Sequence, residues 1–223
     1  MAQSLGAWSE AGNLLQEALA NSEKDDSARP LLKAIAAANR LLSFEPLNEA
    51  PMPDGFPATT PAGEIQLKDY PAYRLARTKM GRTDMGAFLT LFRHIKQNDI
   101  AMTAPVEMTY PRRTDENEVI GETTMAFLYG SDVGKDTQAE EGVDIVEVAP
   151  LQVVSIGNIG RRTNSRVVWA KNRLEAWLAE VRPDLEIVGG LRVLGYNGPS
   201  VPTSKQYFEV QFEVRPSTIR GSF

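Results

Sequence analysis

Few residues in this chain are equipped for chemistry. There is no cysteine and a single histidine, His94, in 223 residues. Thiolate catalysis, disulfide stapling and Cys-ligated zinc or iron–sulfur clusters are therefore excluded. A Ser-His-Asp triad could use only His94, and a multi-histidine metal site cannot be built within one chain. The most distinctive stretch is Ile100 to Met108, IAMTAPVEM. A proline inside an apparent strand is confined to edges, ends or bulges. Pro105 thus predicts a bend or bulge, either a plain barrel corner or a device that re-aims side chains beside a site. Alternation puts Thr103, Pro105 and Glu107 on one face and the more apolar Met102, Ala104, Val106 and Met108 on the other. Glu107 is then an exposed strand glutamate facing away from the core, unless a bulge turns it into a cleft. There its carboxylate could serve as a general base or hold a cation. Met102 and Met108 read as core filler or as thioether donors.

Other signals are weaker. Trp169 and Trp177, two turns apart on a helical stretch, are expected to anchor that helix to a sheet. Gly189-Gly190 is an isolated pair rather than a phosphate loop. Arg161-Arg162 is a small basic spot in a turn, too short to argue for nucleic acid. A net charge of −5 points the same way, because phosphate binding needs a concentrated basic surface.

The elements that must position these residues show a pattern. At the N-terminus, Leu5–Ala20 and a stretch from near Ser27 to Leu42 have helical spacing of leucines, an αα-hairpin with an unpartnered apolar stripe. Five prolines between Glu45 and Gly63 (Pro46, Pro51, Pro53, Pro57 and Pro61) make that stretch an extended linker. Then follow a strand at Tyr73–Thr78, a helix at Met85–Lys96, and strands at Ile100–Tyr110 and Thr123–Tyr129, the last two separated by a charged turn around Arg112–Asn117. The same β-α-β-β order recurs at Val153–Ile159, Arg166–Val181, Glu186–Tyr196 and Tyr207–Arg215, with strand and helix onsets displaced by about 80 residues. Gly130–Gly142 is a long polar connection. The expected fold is α+β: a distorted β-barrel or curved sheet made of two β-α-β-β pseudo-repeats with two outer helices, plus the helical hairpin. Its organisation is a hairpin at 1–45, a Pro-rich linker at 46–63, a domain at 64–216 and a tail at 217–223. Such a sheet leaves an apolar cleft between its halves, suited to a small apolar or amphipathic ligand.

IAMTAPV, preceded by an aromatic-rich helix and the polar turn Gln97–Asp99, resembles the signature of the SOUL/heme-binding protein family. Met125–Gly130 (MAFLYG), Gly195–Pro202 (GYNGPSVP), Lys205 and Phe208–Val210 (FEV) follow in the family's order. The resemblance spans roughly Gly63 to Pro216 and leaves out the hairpin. It implies a SOUL domain that binds heme or another tetrapyrrole, without catalysis, in a groove between the first-repeat helix and the loop before the last strand. Carried over, the helix supplies Met85, Leu89, Phe92 and Arg93. The loop supplies Asn197 to Lys205, with Val201 where the family places a lysine and Lys205 as the nearest cation. His94 is either an axial ligand to heme iron or a surface or groove-edge histidine in an aromatic slot.

Two other readings stand beside this one. The first is a small hydrolase or tetrapyrrole-modifying enzyme using Glu107 beside Tyr129 or Tyr196, in the manner of domains resembling the GyrI-like ligand-binding group. The second is an interaction module working through the hairpin. No motif names a protein partner. No segment is apolar enough to span a bilayer and no signal peptide is visible, so a soluble cytoplasmic protein is expected, with export open if a signal has been removed.

Overall fold

A computed structural model describes residues 8–22, 28–81, 84–110, 124–130, 133 and 135–217. The expected onset at Leu5, the N-cap at Ser27, the charged turn at 112–117 and most of the C-terminal tail lie outside these residues. The chain runs α1 (Glu10–Ser22), α2 (Arg29–Leu42), β1 (Ile65–Tyr70), β2 (Tyr73–Lys79), α3 (Asp84–Gln97), β3 (Val106–Tyr110) and β4 (Thr124–Tyr129). It continues with β5 (Asp144–Val148), β6 (Leu151–Ile159), α4 (Asn164–Val181), β7 (Leu185–Gly195) and β8 (Tyr207–Pro216). Among the described residues no helix is long and apolar enough to cross a membrane.

All eight strands form one antiparallel sheet in the order β1-β6-β8-β7-β3-β4-β2-β5. Strands β1 and β5 do not pair with each other, so the sheet curves without closing. The β-α-β-β order of the sequence maps onto matching strand orders, β2-β4-β3 and β6-β8-β7, joined where β3 pairs with β7. The flanking strands β1 and β5 were not anticipated. Both are short and carry charge (IQLKDY and DIVEV), which masks the two-residue period.

One face of the sheet carries the helices. In α3, Ala87, Leu91, His94 and Ile95 point inward; in α4, Val167, Ala170, Leu174 and Leu178 do so. These meet Met108, Met125, Phe127, Val193, Val210 and Phe212 in the main core. Trp177 packs against that core, but Trp169 does not: it is 41% exposed, with the Arg173 guanidinium 5.5 Å from its ring and 5.6 Å from that of Trp8. Two turns along a helix leave about 80° of rotation between these residues, enough to put one indole at the rim.

The opposite face is covered by the chain itself. The proline-dense segment forms no helix or strand, and its Ala50, Met52 and Phe56, with Phe44 just before it, lie over Tyr70, Tyr73, Leu194, Tyr196 and Tyr207. This strap is held by backbone bonds, from Ala104 N–H to Pro51 O at 3.0 Å and from Gly63 N–H to Gly157 O at 2.9 Å. Gly157 is where strap and sheet touch: a Cβ there would sit 2.5 Å from the Thr60 carbonyl oxygen and 2.7 Å from that of Pro61.

Because the strap seals it, this second face buries polar groups. Glu209, fully buried, accepts from Lys68 Nζ at 3.0 and 3.2 Å, from Thr60 N–H at 2.8 Å, from Ser155 Oγ at 2.9 Å and from Gln211 Nε2 at 2.7 Å. The hydroxyls of Tyr196 and Tyr207 approach the same carboxylate at 3.2 and 3.3 Å. Nearby, Arg192 holds Glu107 at 2.7 Å and donates to Tyr73 OH at 3.0 Å.

Candidate functional site

A cavity opens on the rim of the sheet, at the ends of β3, β7 and β8. Six pieces of chain build it, Met125 of β4 being one of them. The first turns of α3 give Asp84, Met85 and Phe88, and the entry to β3 gives Met102, Thr103 and Ala104, with Val106 and Met108 following. The β6–α4 turn gives Gly160, Arg161 and Arg162. The β7–β8 connection gives Gly195 to Pro199 and Gln206 to Phe208, and the strap contributes Glu49 and Ala50. The cavity holds about 750 Å³, the size expected of a small-molecule site, and most of its wall is apolar.

The IAMTAPV stretch shapes this opening. The expected strand from Ile100 begins only at Val106, because Pro105 has no amide to donate to the ladder. The Ala104–Pro105 peptide is cis. The freed residues Met102 to Ala104 become wall, pinned by the hydrogen bond from Thr103 Oγ1 to the Leu128 carbonyl. On the far lip, Asn197 donates to Leu47 O at 2.7 Å and Gly198 N–H donates to Glu49 at 2.6 Å, which clamps the loop to the strap. Gly160 adopts a left-handed φ of 102°, which lets the chain leave β6 and present Arg161 and Arg162 to the cavity. Arg162 donates to Tyr110 OH at 3.0 Å and pairs with Asp84. Tyr110 has its phenol pKa raised by burial, against the opposing pull of Arg162.

The structure distributes the sequence candidates unevenly. Met85 lines the cavity; Leu89, Phe92, Arg93, Val201 and Lys205 are not among its lining residues. Met85, Leu89 and Phe92 share one face of α3. Met85 and Leu89 are exposed and Phe92 stacks on Phe88 at 6.0 Å. Arg93 is exposed beside them. Val201 is buried within its loop, and Lys205 is exposed at the end of the 3₁₀ turn Thr203–Lys205.

His94 is neither a surface nor a groove-edge residue. It points into the protein from the side of α3 opposite Phe92, fully buried, with Nδ1 2.5 Å from Glu140 Oε1. Its Nε2 has no hydrogen-bond partner. Glu107 is not an exposed strand glutamate. Alternation does turn it away from Met108, but the strap seals that side too, and the carboxylate is bound by Arg192 and Thr109. Neither His94 nor Glu107 lines the cavity. The residues that sequence reasoning underrated are Arg161 and Arg162, whose only signal was a basic pair directly after a strand-ending glycine.

A tetrapyrrole suits this groove in its apolar walls, in the thioethers of Met102 and Met108, and in the basic residues at one end. Among the described residues no group of three or more acidic or histidine side chains could hold a free metal ion.

Solved structures share the fold. The cryo-EM structure of an EcmrR–DNA complex in EcmrR-RPo is 15% identical, with a TM-score of 0.52 over 69% of this chain and 58% of that one, so this chain spans little more than half of it. The EcmrR C-terminal domain is 16% identical, with a TM-score of 0.50 over 69% of this chain and 98% of that one. An uncharacterized conserved protein from Listeria innocua is 11% identical, with a TM-score of 0.50 over 70% and 94%. At such identities the likeness concerns the fold alone. Among curated proteins, no sequence matches. The family model described as SOUL heme-binding protein matches residues 57–213, the bulk of the chain and every wall of the groove except Glu49 and Ala50: the chain belongs to the SOUL heme-binding protein family.

Proposed function

We propose that this protein binds or carries heme or another tetrapyrrole in the rim groove, with no chemistry done on the ligand. The observation that carries the reading is the groove itself. In a chain of this family, an apolar cavity of about 750 Å³ opens between the first turns of α3 and the β7–β8 loop. Met85, Phe88, Met102, Val106, Met108 and Phe208 would hold the macrocycle, and the α3 face of Leu89 and Phe92 would extend the contact beyond the mouth. The bound group supplies a planar π-system and, with iron, a redox centre. The chain's own residues supply apolar burial, orientation and exclusion of water. Arg93 and Lys205 are exposed cations outside the cavity lining, and in this reading they would meet the acidic groups of a ligand that extends beyond the mouth.

The test is a titration with hemin and with protoporphyrin IX, followed in the Soret band. A saturable change is expected. Met85→Glu should weaken binding by about tenfold or more, since burying a methionine side chain is worth roughly 1.5–3 kcal/mol. Met85 is 55% exposed in the free protein, so this substitution spares the core. Absence of a saturable change with either porphyrin would refute the proposal.

A further inference from the structure

Helix α2 turns two different stripes to solvent, and we propose that together they form a docking surface for an anionic lipid membrane. The helix reads RPLLKAIAAANRLL, with three cations and no acid, in a chain whose net charge is −5. It lies outside the residues that the family model matches, so the surface belongs to the N-terminal hairpin alone. Ala34, Ala38 and Leu41, half-buried or buried, mark the side turned to the protein. The sector beside them holds Leu32, Ile35 and Leu42, which are 64%, 48% and 47% exposed. At about 100° per residue these three fall within about 80° of one another, with Asn39 among them. Past the exposed Ala36, the cations Arg29, Lys33 and Arg40 share a strip about 40° wide. All three are exposed.

Single exposed apolar residues are ordinary on a protein surface, but an aligned set bordered by cations is not. A helix of this pattern lies in the plane of a membrane, with its apolar stripe at the acyl boundary and its cations at the headgroups. The long stems of lysine and arginine run along the apolar surface and deliver the charge to the phosphates and carboxylates of anionic lipids. Lipid fits this face better than a second copy of the chain, because a second α2 offers the cations no carboxylate. The acids nearest in sequence, Glu23, Asp25, Asp26 and Glu45, lie off the helix at its two ends. Arg40 also donates to the Ser204 carbonyl at 3.4 Å, which ties α2 to the β7–β8 connection. That connection is part of the groove wall, so a protein docked through α2 carries it to the membrane.

Flotation of the full chain with lipid vesicles tests this, one set of phosphatidylcholine alone and one of equal parts phosphatidylcholine and phosphatidylserine. Binding is expected to the anionic set only, and it should weaken as salt rises. Arg29→Gln with Lys33→Gln should lower affinity for the anionic vesicles about thirtyfold, the loss expected for two surface cations. Leu32→Ser with Ile35→Ser should lower it about a hundredfold or more, because two apolar side chains no longer leave water. All four positions are exposed, and far-ultraviolet circular dichroism of each variant checks that the fold is kept. No flotation with anionic vesicles, equal flotation with both sets, or flotation that either double variant leaves unchanged would overturn the proposal. Sedimentation of the lipid-free chain tests the other occupant. A monomer is expected; a dimer that Leu32→Ser with Ile35→Ser dissolves would assign the stripe to a second copy and overturn the lipid surface.

Discussion

Replacing Lys68 by methionine tests how the sealed face of the sheet is held together. The side chains of Lys68 and Glu209 are only 4% and 0% exposed, and Nζ sits 3.0 and 3.2 Å from the two carboxylate oxygens. Removing one partner of a buried pair typically costs about 3–5 kcal/mol, because a charge is left in a medium that solvates it poorly. In Lys68→Met the carboxylate keeps neutral donors from Thr60, Ser155, Tyr196, Tyr207 and Gln211. The loss should therefore fall near the low end, about 3 kcal/mol, or a fall in Tm of roughly 6–12 °C for a chain of this size. Glu209→Gln should cost more, about 5 kcal/mol, since it strands the ammonium and turns an amide N–H₂ toward groups that donate. The double variant has no buried charge at this pair, so it should be at least ~2 kcal/mol more stable than the summed single losses predict. Urea unfolding followed by far-ultraviolet circular dichroism and by tyrosine fluorescence measures all three. Single losses under about 1 kcal/mol, or strict additivity, would refute the account.

The phenols of Tyr70, Tyr73, Tyr129, Tyr196 and Tyr207 are all raised above the usual value of 10.0, with burial the first cause in each, and Glu209 adds to the rise for Tyr70, Tyr196 and Tyr207. Above pH 10 the unfolded chain releases these protons and the folded one keeps them. Stability should then fall by about 1.4 kcal/mol per pH unit for each tyrosine, giving cooperative alkaline unfolding between about pH 10 and 12. Phenolate absorbance rising near pH 10 with the fold intact would contradict this. Gly157→Ala should destabilise by about 1–3 kcal/mol and open residues 44–62 to protease, as the new methyl meets backbone oxygens of the strap. An unchanged cleavage pattern would show that the strap is held elsewhere. His94→Leu should leave the hemin Soret position and affinity unchanged, since the imidazole faces away from the groove; a displaced band would assign it to iron.

The sequence revealed the fold more readily than the site, and the reason is physical. Helices α3 and α4 and strands β2, β4, β6, β7 and β8 show regular apolar periods because each has a large core-facing surface. The pattern fails where both faces are buried by different means. Glu107, Arg192, Glu209 and Gln211 look like outward-facing strand residues, and only the strap, distant in sequence, makes them interior. His94 misleads for a similar reason: its neighbours on α3 suggested a groove, but one hundred degrees per residue turns it to the far side. Of the helix positions expected to hold ligand, Met85 reaches the cavity wall, because the groove follows the first turns of α3 rather than its middle. Arg161 and Arg162 became visible as groove residues only once the sheet brought the β6–α4 turn beside the start of α3.

Tyr196 and Tyr207 belong to two neighbourhoods at once. Both line the groove, while their hydroxyls reach through to Glu209 and, for Tyr207, to the Thr60 carbonyl. A ligand lying against this wall meets hydrocarbon ring surface, with the acidic protons bound on the other side. The wall can shield a light-sensitive or oxidisable pigment from water, yet it has no proton to lend. Any reaction needing an acid at that wall must draw the proton from another group.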